Sequence, residues 1–159
     1  MHKVNIKDIA EESWTSPKGK FKGSSKEISI ALGRKSKSTD LMERHPFDVE
    51  LTRIPPGATP YPYHSHSAQW EFYLVVSGRG VVRDESGTTP IEAGDSFIFI
   101  PGQAHQLTND GAEDLVFYTI ADNPIGESWH YPDSNKWIAQ TPKRTVLRAH
   151  AGDYYDGEE

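Results

Sequence analysis

The feature that most constrains this chain is its punctuation. Turn signals at Pro56-Gly57, Ser77-Gly78, Ser86-Gly87, Ala93-Gly94, Pro101-Gly102 and Asp110-Gly111 follow one another at short, fairly regular intervals. The stretches between them, Phe72–Val76, Arg79–Asp84, Thr89–Glu92, Phe97–Ile100 and Leu115–Ile120, have strand length and strand composition. That rhythm specifies an all-β sandwich or barrel. Upstream, Phe47, Val49 and Leu51 alternate with Asp48, Glu50 and Thr52, and Ile28, Ile30 and Leu32 alternate with Ser29 and Ala31. Both read as strands with one apolar face. The chain of 159 residues fits one domain with its own core. Its expected parts are an N-terminal segment over 1–26, a barrel over 27–121, and an extension ending in an acidic tail over 122–159. The first segment fits either an arm on the barrel or a partly ordered tail.

Within this frame one stretch carries chemistry. In Tyr63-His64-Ser65-His66-Ser67-Ala68-Gln69-Trp70-Glu71 the histidines are two apart, which on a strand puts both imidazoles on one face about 7 Å apart at the backbone. Pro60 and Pro62 favour the extended conformation before them, and Glu71 opens the next strand with a carboxylate. Two imidazoles and a carboxylate suit iron, manganese, nickel, cobalt, copper or zinc, and the chain has no cysteine to offer a thiolate. Taken alone, His-x-His equally fits a polar patch on a solvated loop. Further on, Phe97–Ile100 runs into a Pro-Gly turn that delivers His105 just after the bend.

Together these segments resemble the cupin superfamily. Gly57, His64, His66, Glu71 and Gly78 match its first motif, and Gly94, Pro101, Gly102, His105 and Asn109 its second. One extra residue between Gly57 and His64, and a proline one place late, depart from the pattern without touching a ligand. The resemblance implies a double-stranded β-helix, or jelly-roll barrel, holding one divalent metal ion on His64, His66, Glu71 and His105. Related proteins often pair through sheet edges, so a homodimer is expected.

Other residues gain candidate roles from this frame. Tyr73 shares strand parity with Glu71 and is placed near the metal, as a proton donor or as pocket wall. Tyr61, Tyr63, Trp70 and Phe99 are candidates to line a substrate pocket. Arg53 follows the apolar parity of Phe47, Val49 and Leu51, which makes it either an inward clamp for a carboxylate or phosphate, or a surface ion pair. The basic run Arg34, Lys35 and Lys37 reads as a solvated loop.

A formal charge of −6 argues against a nucleic-acid partner. No apolar run approaches bilayer-spanning length, and the first residues lack the apolar core of a secretory signal, so a cytoplasmic protein is expected. Two functions fit. One is a metal-dependent dioxygenase, decarboxylase or sugar-phosphate isomerase acting on a small oxygen-rich molecule. The other is a non-catalytic barrel binding a small ligand, with the metal as anchor.

Overall fold

The computed structural model describes residues 1–140, 144–148 and 150; the acidic tail lies outside them. Among the described residues thirteen strands are formed: β1 (Glu12–Thr15), β2 (Lys22–Glu27), β3 (Phe47–Ile54), β4 (Ser65–His66), β5 (Glu71–Ser77), β6 (Arg79–Asp84), β7 (Gly87–Glu92), β8 (Ser96–Phe99), β9 (Gln106–Thr108), β10 (Leu115–Asp122), β11 (Ser128–Tyr131), β12 (Lys136–Ala139) and β13 (Thr145–Arg148). They build a six-stranded sheet in the order β1-β2-β3-β10-β5-β8, a three-stranded sheet β7-β6-β9 and a four-stranded sheet β13-β12-β11-β4. All strand pairs are antiparallel. Among the described residues no helix is long and apolar enough to cross a membrane.

The core lies between the six-stranded and three-stranded sheets. Ile54, Val75, Leu115 and Phe117 from the first meet Val82, Ile91 and Leu107 from the second. The glycine punctuation explains the tight corners. Gly78, between β5 and β6, has φ +79, and a Cβ there would stand 2.3 Å from the carbonyl oxygen of Asp114. No other residue fits so close an approach in that conformation. Asn109 is fully buried and ties the corner after β9: its amide donates to the carbonyls of Ile54 and Glu113, and its oxygen accepts from the Gly111 N–H.

The N-terminal segment is an arm on the barrel, contributing β1 and β2 to the edge of the large sheet. Two expectations are corrected. Ile28–Ala31 is a short helix, α1, rather than a strand. The buried residue there is Ser29, whose hydroxyl accepts the Val49 N–H at 2.8 Å and so occupies the donor that a continuing β2 would have used, while Ile30 is exposed. A second short helix, α2 (Leu41–Arg44), follows.

The other correction concerns β3. Its register places Thr52 opposite Phe117 and Ile54 opposite Leu115, all of them buried, so the even-numbered positions face the core. Arg53 therefore points outward, bridging Glu11 and Asp114 at 3.1 and 3.0 Å. Phe47 is exposed on that outer side. The surface ion pair, rather than the inward clamp, is what Arg53 forms.

Candidate metal centre

The two motifs meet because His64 and His105 pair through their backbones, each N–H donating to the other's carbonyl. His66 lies on β4, and its carbonyl accepts the Gly102 N–H at 2.8 Å, so the Pro-Gly turn is fastened directly beneath it. Glu71 opens β5. The side chains converge: His64 Nε2 is 3.2 Å from His66 Nε2, and Glu71 Oε2 is 3.4 Å from His66 Nε2 and 2.9 Å from His105 Nε2.

This spacing can be tested against what an ion requires. Ligand atoms about 2.1 Å from a first-row ion stand about 3.0 Å apart at a right angle and about 3.4 Å apart at a tetrahedral one. The observed contacts span that range. The tautomers agree as well. Nδ1 of His64 and of His105 faces a backbone carbonyl, of Pro62 at 2.9 Å and of Gln103 at 3.2 Å, an arrangement that would hold the ring proton at Nδ1 and free Nε2 for an ion. His66 turns Nδ1 towards the Glu127 carboxylate, 3.7 Å away. The donor set fits a divalent ion of the imidazole- and carboxylate-loving kind.

Electrostatics follow from burial and from these partners. Burial, helped by the neighbouring His105, pushes His64 down to about 4. Burial acts the same way on His66, but Glu127 and Glu71 outweigh it and raise that imidazole to about 9. Glu71 is opposed by burial, yet His105 and His66 hold its carboxyl well below the ordinary range.

Aromatic rings close around the ligands. Phe99 stacks on His105 with centroids 4.0 Å apart, Tyr61 meets His64 edge-on at 5.1 Å, and Tyr131 stacks over His64 at 5.9 Å. The Tyr73 hydroxyl donates to Glu71 Oε2 at 3.1 Å and lies 3.4 Å from both His105 Nε2 and the Tyr61 hydroxyl. Tyr63 is buried elsewhere, beneath the Arg83 guanidinium, and Trp70 is 47% exposed on the outer side, so neither reaches the ligands. A groove of about 650 Å³ opens between the β6–β7 hairpin and β8 and includes Phe99 but none of the four converging side chains.

Glu127 carries no local signal that marks it as part of this centre. Its carboxylate accepts the backbone N–H groups of Ser67, Ala68 and Gln69 at 2.9, 3.1 and 2.8 Å, fixing the loop that follows His66. It arrives with β11, which pairs with β4 so that Trp129 stands opposite His66. The only trace in the sequence was the aromatic cluster Trp129-His130-Tyr131, which marked a packed extension without revealing its target.

The family model of the cupin domain matches residues 50–121. This segment is a cupin domain. Over 68 residues the chain is 34% identical to an oxalate-binding protein of Thermotoga maritima, a match covering 43% of this chain and 55% of that relative. The chain thus spans only about half the length of that relative. A sugar phosphate isomerase of the cupin superfamily from Silicibacter pomeroyi superposes with a TM-score of 0.76 at 25% identity, covering 92% of each chain. A protein from Acidithiobacillus ferrooxidans proposed to be a sugar phosphate isomerase superposes with a TM-score of 0.78 at 23% identity, over 93% of this chain and 92% of its own, which shows a shared fold.

Proposed function

We propose that this cupin is a metal-dependent enzyme acting on a small oxygen-rich molecule that binds the ion through two oxygens, with sugar-phosphate isomerisation as the leading reaction type. The observation that carries the proposal is the Tyr73 hydroxyl set against the ligand cluster, 3.1 Å from Glu71 Oε2 and 3.4 Å from His105 Nε2. His64, His66 and Glu71, with His105 beside them, would hold the ion. A bound ion would supply Lewis acidity towards a chelated carbonyl or hydroxyl oxygen. The protein's part is proton handling and exclusion of water. Burial first, then the charge of Glu71, raises the Tyr73 phenol well above its ordinary value, so it stays protonated. A protonated phenol at this point suits a donor to a substrate oxygen rather than a base. Tyr61, raised mainly by burial, is the next hydroxyl in line. The likeness to the Silicibacter pomeroyi isomerase supports this reading because it runs over nearly the whole of both chains, barrel and extension alike.

A second reading, a non-catalytic binder of a small dicarboxylate, draws on the oxalate-binding relative and on the depth of the ligands, of which His105 is fully buried. One experiment separates the two. Protein purified with its native metal is titrated with hydroxy acids, oxo acids and sugar phosphates, and ligands that bind are followed by NMR for conversion. Turnover that falls about a hundredfold in Tyr73→Phe, with metal content and ligand affinity kept, supports the enzyme. Tight binding without turnover supports the binder. Equal binding to metal-free protein sinks both.

A further inference from the structure

The basic loop set aside in the sequence as solvated lines a cavity of about 310 Å³ with Arg34, Lys37 and Arg44 from one segment and Arg144 from another. We infer that this cavity is a second ligand site, for a small phosphate-type oxyanion, separate from the metal position.

Its charges are poorly balanced. Arg34 pairs with Asp48 at 2.7 Å and donates to Asn123 Oδ1 at 2.8 Å, but its Nε is buried with no partner among the described residues. Arg44 is held entirely by backbone carbonyls: Asn123 at 3.1 Å, Ser36 at 3.3 Å, Ser38 at 3.4 Å and Pro124 at 2.8 Å. These use four of the five N–H donors of a guanidinium and neutralise none of its charge. Among the described residues neither Lys37 nor Arg144 has a carboxylate partner. An unpartnered buried donor is costly, and an oxyanion beside Arg34 would relieve it while drawing on the exposed charges of Lys37 and Arg144.

The one carboxylate in the lining is Glu127, set against the four cations Arg34, Lys37, Arg44 and Arg144. Its oxygens are already saturated by the Ser67, Ala68 and Gln69 N–H groups. It also separates the two sites. Glu127 stands on the Nδ1 side of His66, whereas Nε2 faces the other ligands, so the imidazole ring lies between the cavity and the metal position. The volume corresponds to about ten waters at ~30 Å³ each, room for phosphate carrying a small organic group. Guanidinium edges bind tetrahedral phosphate oxygens in pairs, and cations converging from two segments suit a dianion better than one carboxylate.

The test is calorimetric titration of the protein, metal-loaded and metal-stripped, with inorganic phosphate and with glycerol phosphate. Saturable binding of equal strength in both forms, weakening with added salt, is expected. A Lys37→Gln/Arg144→Gln double variant alters two side chains at the rim and should bind about tenfold more weakly. In wild type, phosphate but not chloride should shift the Trp129 indole resonance, a readout that does not depend on the variant folding. No saturation below about 10 mM overturns the inference. An unchanged isotherm in a folded double variant does the same, as does binding that vanishes with the metal, which would put phosphate on the ion. Because His66 and Glu71 take no part, failure here leaves the proposed enzyme standing, and loss of metal binding leaves this site standing. Stronger binding of glycerol phosphate identifies a phosphorylated metabolite as occupant, and equal binding identifies phosphate itself.

Discussion

Glu50 offers a sharp test of how this barrel treats charge. It faces the interior on β3, directly opposite Glu27 on β2, with the Thr52 hydroxyl donating to its Oε1 at 2.9 Å. Burial first, and then the charge of Glu27, raises its carboxyl to about 8 from the ordinary 4.5, while the Thr52 bond pulls the other way. Between those values the native group holds a proton that the unfolded chain has released. The native state therefore binds more protons, and stability falls as pH rises through that window, by about 1.4 kcal/mol per unit. Below the window both states are protonated and the term vanishes; above it both are ionised and the penalty is constant. The whole span is about 5 kcal/mol, a large part of a domain's ordinary stability. Glu50→Gln removes the titration and keeps the shape. Urea unfolding of wild type and Glu50→Gln, both with a chelator present, should give a stability difference in favour of the variant that grows across the window and then levels off. Subtracting the two curves removes the contribution of the metal ligands, which titrate alike in both. A difference that is the same at both ends of the window would refute the reasoning.

Three further outcomes follow from the site. Glu127→Gln should weaken metal affinity by about 10- to 100-fold, as loss of a ligand's supporting carboxylate does, measured by competition with a chromophoric chelator; unchanged affinity would mean that Glu127 serves the loop alone. Metal uptake at neutral pH should release about one proton, because His66 lies near 9 in the free protein and must deprotonate to become a ligand. Calorimetry in buffers of different ionisation enthalpy reads that number, and a value near zero contradicts it. Arg53→Ala should cost less than about 1 kcal/mol in urea unfolding and leave substrate affinity unchanged, since its partners are surface carboxylates; a large loss of affinity would return Arg53 to the site.

What was legible in the sequence, and what was not, divides along the range of the interactions. The motif residues could be read because each is delivered by a local device: His66 by an extended dipeptide after prolines, Glu71 at the head of an apolar strand, His105 after a Pro-Gly turn. Strand β2 could not, because Lys-Gly-Ser-Ser-Lys-Glu has no apolar period and is extended only because β1 and β3 hold it on both sides. The facing of β3 was misread for a related reason. Phe47, Val49 and Leu51 lie on the outer side, and only the pairing with β10 reveals that Glu50, Thr52 and Ile54 look inward. Glu127 was hidden because its partners are separated from it by about sixty positions in sequence, and nothing local distinguishes it from any other acidic residue.

That separation sets an order of events in the life of the molecule. His64, His66, Glu71 and His105 all precede β11 in the chain, so each is made before the strand that pairs with β4. Until then the loop after His66 has no carboxylate to gather its N–H groups, and the rings of Trp129 and Tyr131 do not yet stand beside the histidines. A barrel lacking β11 would leave the histidines more open to a divalent ion, and docking of that strand against β4 would then enclose it.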